Sequence, residues 1–267
     1  MEKRTAALFC LMISFLAVLL GRLSIITTHA EYTEASKNNG EYRLTLARTR
    51  GKIYDRNGTA LAGGATCCKA LIVPSSYVSA ELMKSLSREN YQSILDNLNG
   101  SHPFLAVVPD GGCECEGVTV YRVPQRYNDH SLAVHRGGWY DGNQGKSGIE
   151  RAYDSWLSDA QGELSVTCRV SASGKSLAGS SRVITDTTGH SNQGVMLTID
   201  ANIQNIVEMS AAGHIERGAV VVVDAATGEI LAMASFPGYN RNDIASYLND
   251  ERSPLINRAV AQYNAGS

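Results

Sequence analysis

The sequence has no marked excess of charge of either sign. Its 24 lysines and arginines nearly balance its 26 aspartates and glutamates, and the formal net charge is −2. Proteins that bind polyanions usually carry a basic excess. We therefore expect no nucleic-acid partner.

The sequence also lacks the C-x-x-C spacing of structural zinc sites. Outside the N-terminal hydrophobic run it has two close cysteine pairs, Cys67-Cys68 and Cys113-x-Cys115, and a single Cys168. The two pairs could bind a metal, but free or casually paired thiols explain them more simply. The six histidines show no spacing typical of metal ligands. We predict no metal site and no cofactor.

Long hydrophobic runs are absent except at the N-terminus. Residues 6–21 (AALFCLMISFLAVLLG) carry no charge, and Arg22 alone interrupts the run before it ends near residue 26. This length suits one membrane-spanning helix. Lys3 and Arg4 then lie in the cytoplasm, and the bulk of the chain lies outside it. The alternative is a cleaved signal peptide, since residues 28–30 (THA) resemble a cleavage site.

The central part of the chain has strand and turn patterns. Residues 50–62 (RGKIYDRNGTALA) predict a hairpin with a two-residue type I′ turn at Asn57-Gly58. Apolar runs predict strands at 69–73 and 118–123, and helical spacing predicts helices at 79–98 and 152–157. Residues 109–117 and 171–194 read as loops or exposed hairpins, with a domain boundary near residue 190.

The last part of the chain is more regular. We predict a strand at 195–199, a helix at 201–212 and an apolar hairpin from strands at 218–224 and 229–236. No internal repeat is evident. The sequence therefore predicts the α+β class, and 267 residues are enough for two modest domains.

Three stretches occur in the order found in one family. The first is RGKIYDRNG at 50–58. The second is a spaced set of His135, Gly138, Gly148-Ile149-Glu150, Tyr153-Asp154 and Leu157. The third is LTID at 197–200 with Gln204, followed by GAVVVVDAATGEILAMASFP at 218–237. Together they resemble class B penicillin-binding proteins, which are membrane-anchored D,D-transpeptidases of bacterial cell-wall synthesis. Each stretch alone is weak evidence, but the ordered set behind an N-terminal anchor is specific.

The resemblance implies three regions. Residues 1–29 would form the cytoplasmic tip and membrane anchor, 30–190 an elongated β-rich pedestal, and 191–267 the incomplete start of a transpeptidase domain. The conserved pedestal motifs of the family are structural rather than catalytic. In this chain the matching residues are Arg50, Gly51, Asp55, Arg56, Gly58, His135, Gly148 and Glu150.

The resemblance also assigns a nucleophile. The segment NRAVAQYNAGS at 257–267 is similar to the family segment that leads into the S-x-x-K motif, so Ser267 would be the acylated serine. Ala265 stands where the family usually has proline. No lysine in this chain has a serine three residues before it, so the general base is missing. We expect the chain as printed neither to be acylated by penicillin nor to catalyse transpeptidation.

Two other matches to catalytic motifs occur on the wrong side of Ser267. Residues 36–38 (SKN) match S-x-N and residues 146–148 (KSG) match a K-T-G variant, but the family has both motifs after the nucleophile. A motif counts only in its structural context. We interpret the first as surface loop and the second as part of the pedestal motif.

The resemblance implies partners as well as an activity. The full-length parent would bind peptidoglycan stem peptides and β-lactams, and would act with a SEDS-family glycan polymerase in elongation, division or sporulation. The location would be the bacterial cell membrane, with a single span. The alternative is a non-catalytic, membrane-tethered pedestal that serves as a binding scaffold.

Overall fold

The computed structural model describes residues 2–28, 40–74, 91–111, 117–171, 174–177, 181–189 and 193–262. Structural statements below concern these residues. Some predictions fall elsewhere: the first part of the predicted helix at 79–98, Cys113, Cys115, the SKN match at 36–38 and Ser267 lie outside the described residues.

The N-terminal run forms one long helix, α1 (Glu2–Thr28). Its segment Leu8–Ile25 has a mean hydropathy of 2.3 and is not buried against the rest of the chain. Leucine and phenylalanine side chains are exposed along it. The helix is long and apolar enough to cross a membrane, and is therefore consistent with the predicted anchor.

The remaining helices are short apart from one. They are α2 (Tyr91–Leu98), α3 (Val134–Gly137), α4 (Gly148–Ala152), α5 (Asp154–Ser158) and α6 (Ala201–Ala211). The strands are β1 (Glu41–Thr49), β2 (Lys52–Tyr54), β3 (Ala60–Ala62), β4 (Ala65–Ile72), β5 (Phe104–Val108), β6 (Val118–Gln125), β7 (Gly162–Arg169), β8 (Val183–Asp186), β9 (Gly194–Met196), β10 (Gly218–Val223) and β11 (Ile230–Phe236). The predicted α+β class is confirmed.

Two antiparallel sheets, β1-β7-β8 and β5-β4-β6, form most of residues 40–189, which we call the β-rich body. Leu46 of β1, Leu71 of β4 and Val166 of β7 are fully buried in one cluster, which packs the two sheets together. The alternate residues of β4, among them Ile72, pack on the opposite face with Leu98 of α2. This two-residue alternation gives β4 a buried face on each side.

A third sheet, β3-β2-β9, joins the body to residues 194–262, which we call the C-terminal module. Strand β9 runs parallel to β2, with Lys52 opposite Gly194 and Tyr54 opposite Met196. Ile53 and Leu157 are buried beneath the sheet. The contact crosses the predicted domain boundary near residue 190, so the two parts share a sheet.

The C-terminal module is built on the hairpin of β10 and β11, with α6 packed against β11. Asp200 caps α6 by accepting hydrogen bonds from the amides of Asn202 and Ile203. The buried amide side chain of Gln204 donates to Met233 O at 3.0 Å and accepts from Met233 N at 2.7 Å. Gln204 therefore occupies the hydrogen-bonding groups of β11 as a neighbouring strand would, and fixes the helix on the hairpin.

Most predicted strands are confirmed, but β1 was not predicted and the predicted turn after Tyr54 is wrong. The polar, mixed stretch before residue 50 contains β1, whose burial alternates only in part. The hairpin of β2 and β3 exists, but its turn is not the two-residue type I′ turn. Tyr54 pairs with Ala60, so the loop has five residues, and of Asn57 and Gly58 only Gly58 has positive φ, at 84°. The Asp55 side chain organises this wider loop.

The helix predicted at 152–157 is two short helices. α4 ends at Ala152 and α5 begins at Asp154, with Tyr153 between them at φ −115° and ψ 27°. The break directs Glu150 to the interior while Asp154 stays partly exposed. The apolar spacing predicted a helix over α5, but it did not predict the break at Tyr153.

Candidate functional site

A buried carboxylate, Glu150, lies at the centre of the β-rich body with no exposed surface. Its Oε1 accepts hydrogen bonds from Arg126 Nε at 2.8 Å and from the Tyr127 hydroxyl at 2.7 Å. Its Oε2 lies 3.7 Å from Arg50 Nε. Because removing ions from water is costly, a buried carboxylate is tolerated only with partners of this kind.

Arg50 links this carboxylate to a second one. Its side chain is 2% exposed, and Nη2 donates to Asp154 Oδ1 at 2.8 Å and to Asp154 O at 3.0 Å. The guanidinium also lies 4.4 Å from the ring centre of Tyr140. Burial opposes ionisation of Asp154, but hydrogen bonds from Gly145 N and Arg50 outweigh it and lower its pKa. Arg50 thus ties the end of β1 to α4 and α5.

The aromatic ring of Tyr127 extends the network to the C-terminal module. Burial, the Glu150 charge and the hydrogen bond to it together raise the pKa of Tyr127. Arg241 stacks on this ring with its guanidinium 4.2 Å from the ring centre. It also donates to Gly138 O and Leu61 O, each at 3.3 Å. Arg241 is therefore anchored at three places in the body.

The Asp55 carboxylate holds the start of α6. Oδ1 accepts from Asn57 N at 2.9 Å and Thr59 N at 2.6 Å, while Oδ2 accepts from Ala201 N at 3.1 Å. Burial would raise the pKa of Asp55, but these backbone hydrogen bonds outweigh it and lower the pKa. One carboxylate therefore shapes the β2–β3 loop and caps a helix of the C-terminal module.

The neighbouring loop residues make a second connection. Arg56 N donates to Ile199 O at 2.8 Å, and Arg56 Nη2 lies 3.3 Å from Glu229 Oε2 on the β10–β11 hairpin. Asn57 Nδ2 donates to Asp200 Oδ2 at 3.1 Å. The stretch 55–59 is thus a clamp that holds the body on α6 and on the hairpin.

A histidine fixes the segment beyond the hairpin. His135 is buried, and its Nε2 lies 2.6 Å from Pro254 O, with its ring packed edge-on against Tyr239. Burial lowers the pKa of His135 more than this hydrogen bond raises it. The backbone near His135 is packed closely on Gly148, where a Cβ would lie 2.4 Å from Arg136 O. This contact explains a glycine at position 148.

The segment that leads toward Ser267 is held by β11. The Ser235 hydroxyl donates to Ile256 O and accepts from Arg258 N, both at 3.0 Å. Arg258 Nη2 donates to Arg252 O at 2.6 Å. Residues 252–258 therefore have a fixed path between His135 and the hairpin, and the chain leaves them toward the predicted nucleophile, which lies outside the described residues.

Comparison with known sequences shows which proteins this chain is similar to. The family described as "Penicillin binding protein transpeptidase domain" matches residues 218–267. The chain is 27% identical over 287 aligned positions to the peptidoglycan D,D-transpeptidases MrdA of Salmonella typhimurium strain SL1344 and Escherichia coli strain K12. The alignments cover 88% of this chain and 45% and 44% of those proteins. These matches support the predicted resemblance to class B penicillin-binding proteins.

Solved structures of the family have the same fold. The penicillin-binding protein PBP2 of Helicobacter pylori matches with a TM-score of 0.51 at 22% identity, over 82% of this chain and 49% of that one. The same protein in a complex with MreC matches with a TM-score of 0.50 at 23% identity. The chain spans about half the length of the relatives it matches.

The structure gathers the predicted motif residues into connected positions. Arg50 and Glu150 share the charge network, and Asp55, Arg56 and Gly58 form the clamp. Gly51 N donates to Leu157 O at 2.8 Å, and Gly51 O accepts from Arg126 Nη1 at 2.6 Å. Further members of the network were not predicted as site residues: Arg126, Tyr127, Tyr140, Asp154, Asp200 and Arg241. Asp154 and Asp200 belong to the stretches that carry the family resemblance, whereas the sequence around the other four contains no pattern that would identify them.

The K-T-G variant match at 146–148 and the described cysteines make local contacts. Lys146 Nζ pairs with Asp141 Oδ2 at 2.9 Å, and the Ser147 hydroxyl accepts from Trp139 N at 3.3 Å. Cys68 Sγ donates to Asp110 Oδ1 at 2.9 Å, and burial raises the pKa of Cys168. Within the described part of the chain no three metal-ligating side chains cluster.

We predict that Glu150→Gln destabilises the protein by about 3–5 kcal/mol, because two buried guanidinium groups lose their compensating charge. Urea unfolding followed by circular dichroism measures the effect. Glu163→Gln is the matched control, since Glu163 pairs with Arg43 at the surface, where such pairs contribute up to about 1 kcal/mol. Equal losses for the two variants would contradict the role of Glu150.

We predict a pH-dependent effect of Asp55→Asn. Because the folded-state pKa of Asp55 is below 3.8, its stabilisation is complete above pH 3.8 and declines as the pH falls through the folded value. The variant should therefore be less stable than the parent from pH 7 to pH 4, with a difference that shrinks below that range. Urea midpoints measure it, and Asp159→Asn, an exposed change, is the control. A difference that vanishes between pH 7 and pH 5 would contradict the assignment.

Proposed function

We propose that the gene encoding this chain specifies a peptidoglycan D,D-transpeptidase in which Ser267 is the acylated nucleophile. One observation carries the proposal: the match to the transpeptidase domain family runs from Gly218, the start of β10, to Ser267 itself. The 27% identity to two D,D-transpeptidases over 88% of the chain supports it.

The proposed reaction is acyl transfer in two steps. Ser267 Oγ attacks the carbonyl carbon of the penultimate D-alanine of a stem peptide, and its proton passes through a base to the departing D-alanine amine. The amine of a second stem peptide then attacks the resulting ester, which releases Ser267 and forms the cross-link. In this family type the base is the lysine of S-x-x-K, three residues beyond Ser267.

The geometry of the described residues supports a positioning role for the body. The Glu150 network holds Arg241, His135 holds Pro254 O, and Ser235 holds the backbone at Ile256 and Arg258. Each of these contacts lies on the path that leads to Ser267. A nucleophile that must meet substrate within a fraction of an ångström benefits from a fixed approach.

The proposed organisation follows the three predicted regions. Residues 1–29 anchor the protein in the bacterial cell membrane with a single span, residues 30–190 form the pedestal, and residues 191–267 begin the transpeptidase domain. The apolar segment Leu8–Ile25 supports the anchor, and Lys3 and Arg4 favour a cytoplasmic N-terminus. The body and the C-terminal module would then lie outside the cytoplasm.

Protein partners form part of the proposal. PBP2 of Helicobacter pylori has been solved in a complex with MreC, and its fold matches this chain. We therefore expect a protein partner of the elongation machinery to bind the β-rich body. A SEDS-family glycan polymerase is the second partner that the family resemblance implies.

We predict that the membrane-inserted product of the gene is covalently labelled by a fluorescent penicillin and that Ser267→Ala abolishes the label. Removal of Oγ leaves no atom to form the acyl bond, so the loss should be complete. Gel fluorescence after denaturation measures it.

Ser246→Ala is the matched control, because Ser246 is exposed and its hydroxyl donates only to the nearby Asp243 O. It should label like the parent. A label that survives Ser267→Ala would contradict the assignment of the nucleophile. A folded parent without any label would favour the non-catalytic scaffold.

A further inference from the structure

A small cavity lies in the β-rich body. It has a volume of about 290 Å³, which is near the lower end for ligand pockets. Its walls come from the end of β1, from β2, from the turn before β4 and from the end of β6. Residues 188 and 193 close it.

The charge of the wall is of one sign. Arg48, Arg50, Lys52 and Arg126 line the cavity, and none of the described residues that line it carries a carboxylate. Glu150, which pairs with Arg50 and Arg126, is fully buried, and Asp154, which pairs with Arg50, is not among the lining residues. The cavity therefore presents positive charge in a chain whose formal net charge is −2.

Only part of this positive charge is compensated. Arg50 and Arg126 pair with Glu150 and Asp154, but Arg50 Nη1 is buried with no hydrogen-bond partner among the described residues. Arg48 Nε is 3.9 Å from a Glu163 carboxylate that Arg43 already contacts at 3.1 Å. No described carboxylate pairs with Lys52. Both outer cations are available to a ligand.

Neutral donors surround the same space. The hydroxyls of Tyr54 and Thr66 and the amide of Gln125 belong to residues that line it. Gly63, which has φ 81°, also lines the cavity. A Cβ at this position would lie 3.0 Å from Arg126 Nη1 and 3.1 Å from Lys52 Cγ, so a larger residue would crowd both side chains. Several cations and hydroxyl donors around a small space suit a compact anion with many acceptor oxygens.

We propose that this cavity is a binding site for a phosphate group, held by Lys52 and Arg48 at its mouth and attracted by Arg50 and Arg126 in its wall. Inorganic phosphate or a phosphate monoester carries nearly two negative charges and three acceptor oxygens, which matches the wall better than a single carboxylate. A phosphodiester headgroup carries one charge and two non-bridging oxygens. The group could belong to a soluble phosphate or to a phospholipid headgroup. No residue that lines the cavity takes part in the proposed acyl transfer, so phosphate binding can be tested without transpeptidase activity.

The test is isothermal titration calorimetry on the full chain in a neutral, phosphate-free detergent at fixed ionic strength. We expect inorganic phosphate to bind saturably, and Lys52→Gln and Arg48→Gln each to weaken binding about tenfold, since each removes a charged hydrogen-bond donor. Arg122→Gln is the matched control, because Arg122 is exposed, pairs with Asp110 and does not line the cavity. It should change affinity less than about twofold at physiological salt.

Three results would overturn the proposal. They are no saturable binding, equal weakening by Arg122→Gln, and equal affinity for acetate. Unfolding temperatures without ligand show whether each variant is folded, and the two cavity variants serve as checks on each other. Phosphatidylglycerol added to the micelles distinguishes the sources: a lipid ligand lowers the apparent phosphate affinity of the parent but not that of Lys52→Gln. If the site instead takes a soluble phosphate, phosphatidylglycerol changes the phosphate affinity of neither the parent nor Lys52→Gln.

Discussion

The burial of the Glu150 carboxylate is the constraint on which the arrangement of the protein depends. A carboxylate with no exposed surface is stable only if cations and donors reach it, and Arg50, Arg126 and Tyr127 must therefore converge there. These residues come from the end of β1 and the end of β6, and Glu150 itself from α4. The charge network thus fixes the relative positions of strands and helices that apolar packing alone would leave less specified.

The same network extends beyond the β-rich body. Tyr127 is held by Glu150 and supports Arg241, while Asp55 caps α6 and β9 pairs with β2. These contacts, together with those of Arg56, Asn57 and His135, join the body to the C-terminal module. We infer that the two parts unfold together, so that the orientation of the segment approaching Ser267 is set by residues far from it in sequence.

The sequence predicted the regular elements better than the site. Strands β4, β6, β10 and β11 and helix α6 follow from apolar periodicity, and the ordered motifs predicted the family. Strand β1 was not predicted because its exposed and buried residues do not alternate regularly. The predicted turn after Tyr54 was wrong because the Asp55 carboxylate, rather than the Asn57-Gly58 pair, determines the conformation of the loop. Arg126 and Arg241 were not predicted because the partners that compensate their burial are distant in sequence. Glu150 is 24 residues from Arg126, and Gly138 is 103 residues from Arg241.

Amide hydrogen exchange in Glu150→Gln tests most directly whether the body and the module form one cooperative unit. The informative amides are Arg56 N, bonded to Ile199 O, Leu197 N, bonded to Tyr54 O, and Asp200 N, bonded to Leu231 O. The account predicts that all three lose protection together with the amides of β2. Loss of protection confined to β2 and α4, with Leu197 and Asp200 still protected as in the parent, would contradict it.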